Sequence, residues 1–140
     1  MSLTMAEAES IVLPFYREAL TVNTQTTPAA VLSRVLHPDF VSMSSQGNKS
    51  REALIGQLTA FWRLIPDLTW EPQDVLLSGD KVVVRSVATG SPKGNFQGLV
   101  CDGSRRFRID TIDIHEVADG AVRRVHHVED WAAALRQLGA

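Results

Sequence analysis

The sequence predicts an α+β fold in which N-terminal helices pack on one face of a curved, mostly antiparallel sheet. Apolar residues recur at helical spacing in the first part of the chain, up to about Leu64. From Leu68 onward the period changes to two, and turn residues divide the remainder into consecutive strands. Helices first and a strand meander after them place the helices on one side of the sheet. The 140 residues, 44% of them hydrophobic, suffice for one domain spanning 1–140 with a sizeable core.

Thr4-Met5-Ala6-Glu7 reads as a capping box opening a helix whose apolar positions are Ile11, Val12, Phe15, Tyr16, Ala19 and Leu20. Pro14 should kink or break it. Thr27-Pro28 supplies an N-cap and a first-turn proline for a second helix, which His37-Pro38 ends. Phe40 to Met43 is a short strand and Ser45 to Lys49 a loop. Ser50 caps a third helix running to about Leu64, with a buried stripe of Leu54, Leu58, Phe61 and Trp62. Strands are expected over 68–77, 81–88, 96–101 and 106–117, and a last one after the Asp119-Gly120 turn. Trp131 to Leu138 is a short apolar tail of one or two helical turns.

Composition excludes several functions. A formal net charge of -2 makes no electrostatic case for nucleic acid or an anionic membrane. No apolar run approaches the roughly 20 residues that span a bilayer. The N-terminus lacks a basic start followed by an apolar stretch, so a cytoplasmic location is the default expectation. The single Cys101 forms no internal disulfide and no cysteine-rich zinc site.

The last hairpin is the richest in chemistry, with three of the four histidines and several carboxylates. Pairing Ala118 with Ala121 across the turn sets Ile114 opposite Val125, Ile112 opposite His127 and Asp110 opposite Glu129. His127 then shares the core-facing side with Val125, Ile112, Ile114 and Asp110. The other parity, with Asp113 paired to His126 and His115 to Arg124, should face solvent or a partner subunit. A β-bulge would shift every assignment beyond it. His126 and His127 point to opposite faces and cannot share an ion, and no metal site is expected.

Several segments together resemble the SnoaL-like polyketide cyclase family, in the superfamily of nuclear transport factor 2-like cone-shaped α+β barrels. They are Ile65-Pro66-Asp67-Leu68, the run from Gly79 to Arg85, the run from Thr89 to Gly98, Thr111 to His115 with Asp119-Gly120, and Gln137-Leu138-Gly139. The ending, His127-Val128-Glu129-Asp130-Trp131 with a Leu135-Arg136-Gln137-Leu138 tail, is similar to the branch of predicted ester cyclases. The resemblance implies an intramolecular aldol ring closure with no metal or organic cofactor, and an aspartate of the last strand as general acid/base. That aspartate's position is occupied here by His127, and a further family histidine is replaced by Met43. The resemblance also implies a homodimer, formed through the outer, charged sheet face.

Imidazole titrates near neutrality and can both accept and deliver a proton. The expected catalytic pair is therefore His127 as proton-transfer group and Asp110 as its orienter. Tyr16, Phe40, Met43 and Trp62 are the expected substrate contacts, since residues beneath the helices of a cone can line its cavity. The expected ligand is a small, mostly apolar carbonyl compound. The reaction would be cyclisation, isomerisation or dehydration; the alternatives are a ligand-binding domain without catalysis and an accessory subunit.

Overall fold

A computed structural model describes residues 3–140. Helix α1, Met5–Pro14, opens on the expected capping box, with Thr4 accepting from the Glu7 amide and the Glu7 carboxylate accepting from the Thr4 amide. Beyond Pro14 the chain does not break. It continues as one π-helical turn, Phe15–Ala19, closed by a bond from the Leu20 amide to the Phe15 carbonyl. Helix α2, Pro28–Val35, is capped by Thr27, and α3, Arg51–Leu64, by Ser50. The strands are β1 (Leu36–Ser44), β2 (Gly47–Ser50), β3 (Thr69–Ser78), β4 (Lys81–Gly90), β5 (Lys93–Phe96), β6 (Leu99–Asp102), β7 (Phe107–Ala118) and β8 (Ala121–Glu129). Helix α4, Trp131–Gln137, closes the chain.

Six strands form one sheet in the order β2-β1-β8-β7-β4-β3, and β5-β6 form a separate hairpin. All ladders are antiparallel except β1 with β8. Two expectations need correction. The stretch expected as a loop before Ser50 holds β2, and the strand expected over 96–101 is two strands. Gln97 and Gly98 both have positive φ and turn the chain there. The expected turn at Asp119-Gly120 forms with φ of 53° and 76°, the two-residue hairpin geometry.

The core lies between the helices and the inner sheet face. It joins Val12, Tyr16, Val31 and Leu32 from the helical side to Val82, Val84, Ile109 and Val125 from the strands. Trp131 closes one end, its ring 5.7 Å from both Phe96 and Phe107 and 6.1 Å from both Phe61 and Trp70. Gln137 holds α4 down by accepting from the Arg108 amide (2.7 Å) and donating to the Arg108 carbonyl (3.0 Å), in the manner of one more rung on the edge of β7.

At Gly90 the backbone passes so close to its neighbours that a Cβ would sit 2.3 Å from the Ile65 methyl and 3.3 Å from the Phe107 ring. Both neighbours are fully buried. Gly90→Ala should therefore cost about 1–3 kcal/mol through overpacking, read as a lower midpoint in chemical denaturation.

The register of β7 with β8 departs from the expected one. Ala118 pairs with Ala121 and Val117 with Val122, but Glu116 pairs with Arg124, leaving Arg123 as the extra residue of a bulge. Beyond it, His115 lies opposite Val125, Asp113 opposite His127 and Thr111 opposite Glu129. The inner face of β7 is thus Ile109, Thr111, Asp113, His115 and Val117, all buried. Ile112 and Ile114, expected inside, are 48% and 40% exposed. The outer sheet face is accordingly apolar at its centre, where Val128 is 72% exposed, and Asp113 is absent from it.

Candidate active site

A cavity of about 580 Å³, counted to its mouth, lies between the helices and the inner sheet face. One wall is aromatic, built from Phe15, Phe61, Trp70 and Trp131, and Leu20, Leu54, Leu58 and Val125 add aliphatic surface. Exposed Gln46, in the β1–β2 turn, and half-buried Lys49, on β2, border it, and Ser42 and Gln57 add polar contacts. Across from the aromatics, Asp113, His127 and Glu129 bring their donor atoms within 4.8 Å of one another. Such a cavity, apolar with a few convergent polar groups, is the usual form of a small-molecule site.

Strand alternation and the bulge bring the three together. His127 and Glu129 are two apart on β8 and share its inner face, and Asp113 is the cross-strand neighbour of His127. The Nδ1 of His127 bonds the Glu129 carboxylate. That bond, ahead of the opposing effect of burial, raises the imidazole above its ordinary pKa, and the charges of Glu129 and Asp113 add to it. It also fixes the ring and leaves Nε2 free for another partner.

Asp113 is 6% exposed. Burial pushes its carboxyl from 3.8 up to about 7, with the Glu129 charge adding to the rise and a bond from Tyr16 and the His127 charge opposing it. The Tyr16 hydroxyl donates to Asp113 Oδ2 at 2.6 Å and lies 2.6 Å from His115 Nε2. Burial, followed by the charge of Asp113, pushes the phenol well above its usual range. Burial, reinforced by His127, pushes His115 down to about 3, so this ring is neutral. Behind the cavity wall, the Trp70 indole donates to Thr111 at 3.0 Å and sets the aromatic ring.

Of the residues expected from sequence, His127 lies in the cavity wall. Asp110 does not: the bulge turns it outward, where it is exposed and 4.0 Å from Arg85. The group on Nδ1 is Glu129, and the aspartate beside the ring is Asp113. None of the four expected substrate contacts lines the cavity. Tyr16 is buried behind it, bonded to Asp113, Phe40 is buried in the core, Met43 borders a depression on the outer sheet face with Ile112 and Ile114, and the Trp62 indole donates to the Ala19 carbonyl at 2.8 Å. Sequence reasoning missed Asp113, Trp70 and the inward placement of His115. A signal was present in Val122-Arg123-Arg124-Val125, where two successive charged residues interrupt the alternation, as a bulge does. Nor was a converging set of one histidine and two carboxylates expected. These are donor types that can hold a cation, but hydrogen bonds among themselves and from Tyr16 already engage them.

A model of the SnoaL-like polyketide cyclase family matches residues 10–138. The chain belongs to that family. This SnoaL-like protein superposes on TsrD from Streptomyces laurentii with a TM-score of 0.82 at 26% identity, covering 99% of this chain and 98% of TsrD. It is similar to IdmH from Streptomyces antibioticus at 25% identity, with a TM-score of 0.78 over 94% of this chain and 98% of that one. A SnoaL-like protein from Jannaschia sp. CCS1 shares the fold with a TM-score of 0.85 at 22% identity, covering 100% of this chain and 98% of its own. No curated protein matches the sequence. Among the described residues, no helix of this SnoaL-like protein is long and apolar enough to cross a membrane. The histidine that stands where the family resemblance puts an aspartate has an aspartate directly across the ladder, Asp113 on β7.

Proposed function

We propose that this SnoaL-like protein is a small-molecule enzyme that works by general acid/base catalysis on a mostly apolar carbonyl compound, in an aldol-type cyclisation, isomerisation or dehydration. His127 is the proton-transfer group and Glu129 its orienter. The observation that carries the reading is the His127 ring in the wall of an aromatic-lined cavity, with Nδ1 held by Glu129 and Nε2 free. Proton transfer by a positioned side chain contributes about 10²–10⁴ in rate, enough to drive an enolisation-type step. The chemistry needs no oxidant, because a proton and an electron pair move within one substrate.

The test is solvent-deuterium exchange at the carbon next to the carbonyl, followed by proton NMR over a panel of small β-keto esters and aryl ketones. The wild-type protein should exchange at least one class, and His127→Gln should not. A cavity that binds these compounds with equal affinity in both proteins, with exchange in neither, would make the chain a binding domain.

The same reading includes a second copy of the chain over the outer sheet face. Ile112, Ile114 and Val128 form an exposed apolar group there, larger than single scattered residues need explaining. Light scattering after size exclusion should give a dimer for the wild type and a monomer for Ile114→Glu. A wild-type monomer would remove this part of the reading.

A further inference from the structure

The interior holds a polar chain that the cavity wall alone does not explain. His115 and Tyr16 are 0% exposed and Asp113 is 6% exposed. The three come from β7 and the π-helical turn, and Tyr16 and Asp113 are 97 positions apart in sequence. An apolar trio of similar volume would fill the space without desolvating polar groups. His115 is costlier still, because its Nδ1 is buried with no hydrogen-bond partner among the described residues.

The direction of the chain follows from the number of protons available. A phenol has one. When Tyr16 gives it to Asp113, the Tyr16 oxygen accepts from His115, so Nε2 carries the imidazole proton and Nδ1 is a bare lone pair. The reverse direction would need a proton on Nδ1, where nothing accepts it. His115 thus biases Tyr16 to donate toward Asp113, and Asp113 to act as acceptor. The chain ends in the cavity, because Asp113 lines it and the other two do not.

We propose that Tyr16 and His115 are positioning residues, which hold the Asp113 carboxylate in the cavity wall as a second proton-transfer group beside His127. This rests on the acid/base reading of the cavity and extends it to a two-group step. Asp113 takes the proton from the carbon next to the substrate carbonyl while the His127 imidazolium gives one to the carbonyl oxygen. The electron pair of the C–H bond becomes the C=C bond of the enol, and the protein neither gains nor loses a proton. The charged and titratable groups facing Asp113 are Tyr16 from the π-helical turn, His115 on its own strand, and His127 and Glu129 from β8; Lys49 on β2 acts on His127 from the mouth.

The experiment follows the carboxyl carbon of Asp113 by NMR in protein labelled with [13C]aspartate, across about pH 4 to 9. It needs no substrate, so it separates this proposal from the acid/base reading. In Tyr16→Phe the titration midpoint of Asp113 should rise by roughly half a unit to one unit, the loss of one hydrogen bond to the ionised form. In His115→Leu it should move the same way by less. Exchange activity in Tyr16→Phe should fall through kcat, with KM little changed and the pH profile displaced by the same amount. Midpoints identical in all three proteins would overturn the proposal, whatever His127→Gln does. Should Tyr16→Phe fail to fold, the Tyr16 Cζ resonance of the wild type decides instead: it must shift as Asp113 titrates, and an invariant resonance overturns the chain.

Discussion

Asp113→Asn should make the protein more stable above about pH 7 while removing its activity. The sign follows from linkage. The folded-state pKa of Asp113, about 7, lies above the ordinary 3.8, chiefly because the carboxyl is buried. Between these values the native state holds a proton that the unfolded chain has released, so stability falls as pH rises through that window. Above about 7 the native state carries the full cost of a buried carboxylate. Three units correspond to a ceiling of about 4 kcal/mol. The attraction of His127 and the bond from Tyr16 are already contained in the folded-state value of about 7, so relaxation around the carboxylate sets how far the gain falls below that ceiling, to on the order of 2 kcal/mol. Asparagine still accepts from Tyr16, so the buried hydroxyl is not orphaned. Denaturant titrations at about pH 4 and about pH 8 check this: the two proteins should coincide in acid and separate in base. A variant less stable than wild type at pH 8 would mean that the carboxylate is a net structural asset.

His127→Gln should fold normally and lose about 10²–10⁴ of the proton-exchange rate. Glutamine keeps a polar group of similar reach, so the Glu129 carboxylate retains a donor. What it lacks is a proton that ionises near neutrality. The side chain is only 18% exposed and its ring borders the cavity. Because Glu129 raises the imidazole pKa, the wild-type rate should hold up to a higher pH than a free imidazole allows, then fall as the ring loses its proton. A variant with full exchange activity would place the chemistry on another group, and Asp113 would be the next to test.

How much of this was legible in the residues can be seen element by element. The caps at Thr4, Thr27 and Ser50 and the turn at Asp119-Gly120 are local signals, each settled within four or five positions, and each formed as expected. The site was less legible because its geometry is not local. Alternation along β8 correctly joined His127 to Val125, since both lie beyond the bulge. The face of β7 opposite them was inverted, because Arg123 shifts the pairing by one residue and the aliphatic Ile112 and Ile114 misled the choice of face. Tyr16 stands among the expected substrate contacts, but only the packed structure shows that its hydroxyl meets Asp113 behind the wall. Met43 and Trp62 were misplaced for a similar reason: position in an apolar segment does not say which side of the element faces the hollow.

The family resemblance placed an aspartate at position 127, and the structure offers one across the ladder at 113. An imidazole and a carboxylate on neighbouring strands can still form an acid/base pair, whichever strand carries which. In these terms the missing family aspartate does not leave the cavity without a carboxylate.

The extra residue at Arg123 also makes the hairpin unequally tolerant of lost codons. Deleting Arg123 would restore strict alternation and keep Glu116 with Arg124, His115 with Val125 and Asp113 with His127. Deleting Val125, two positions on, would slide Val128 opposite Asp113 and turn the imidazole of residue 127 outward. Length variation among descendants of this gene should therefore collect at position 123 and be purged between 125 and 129.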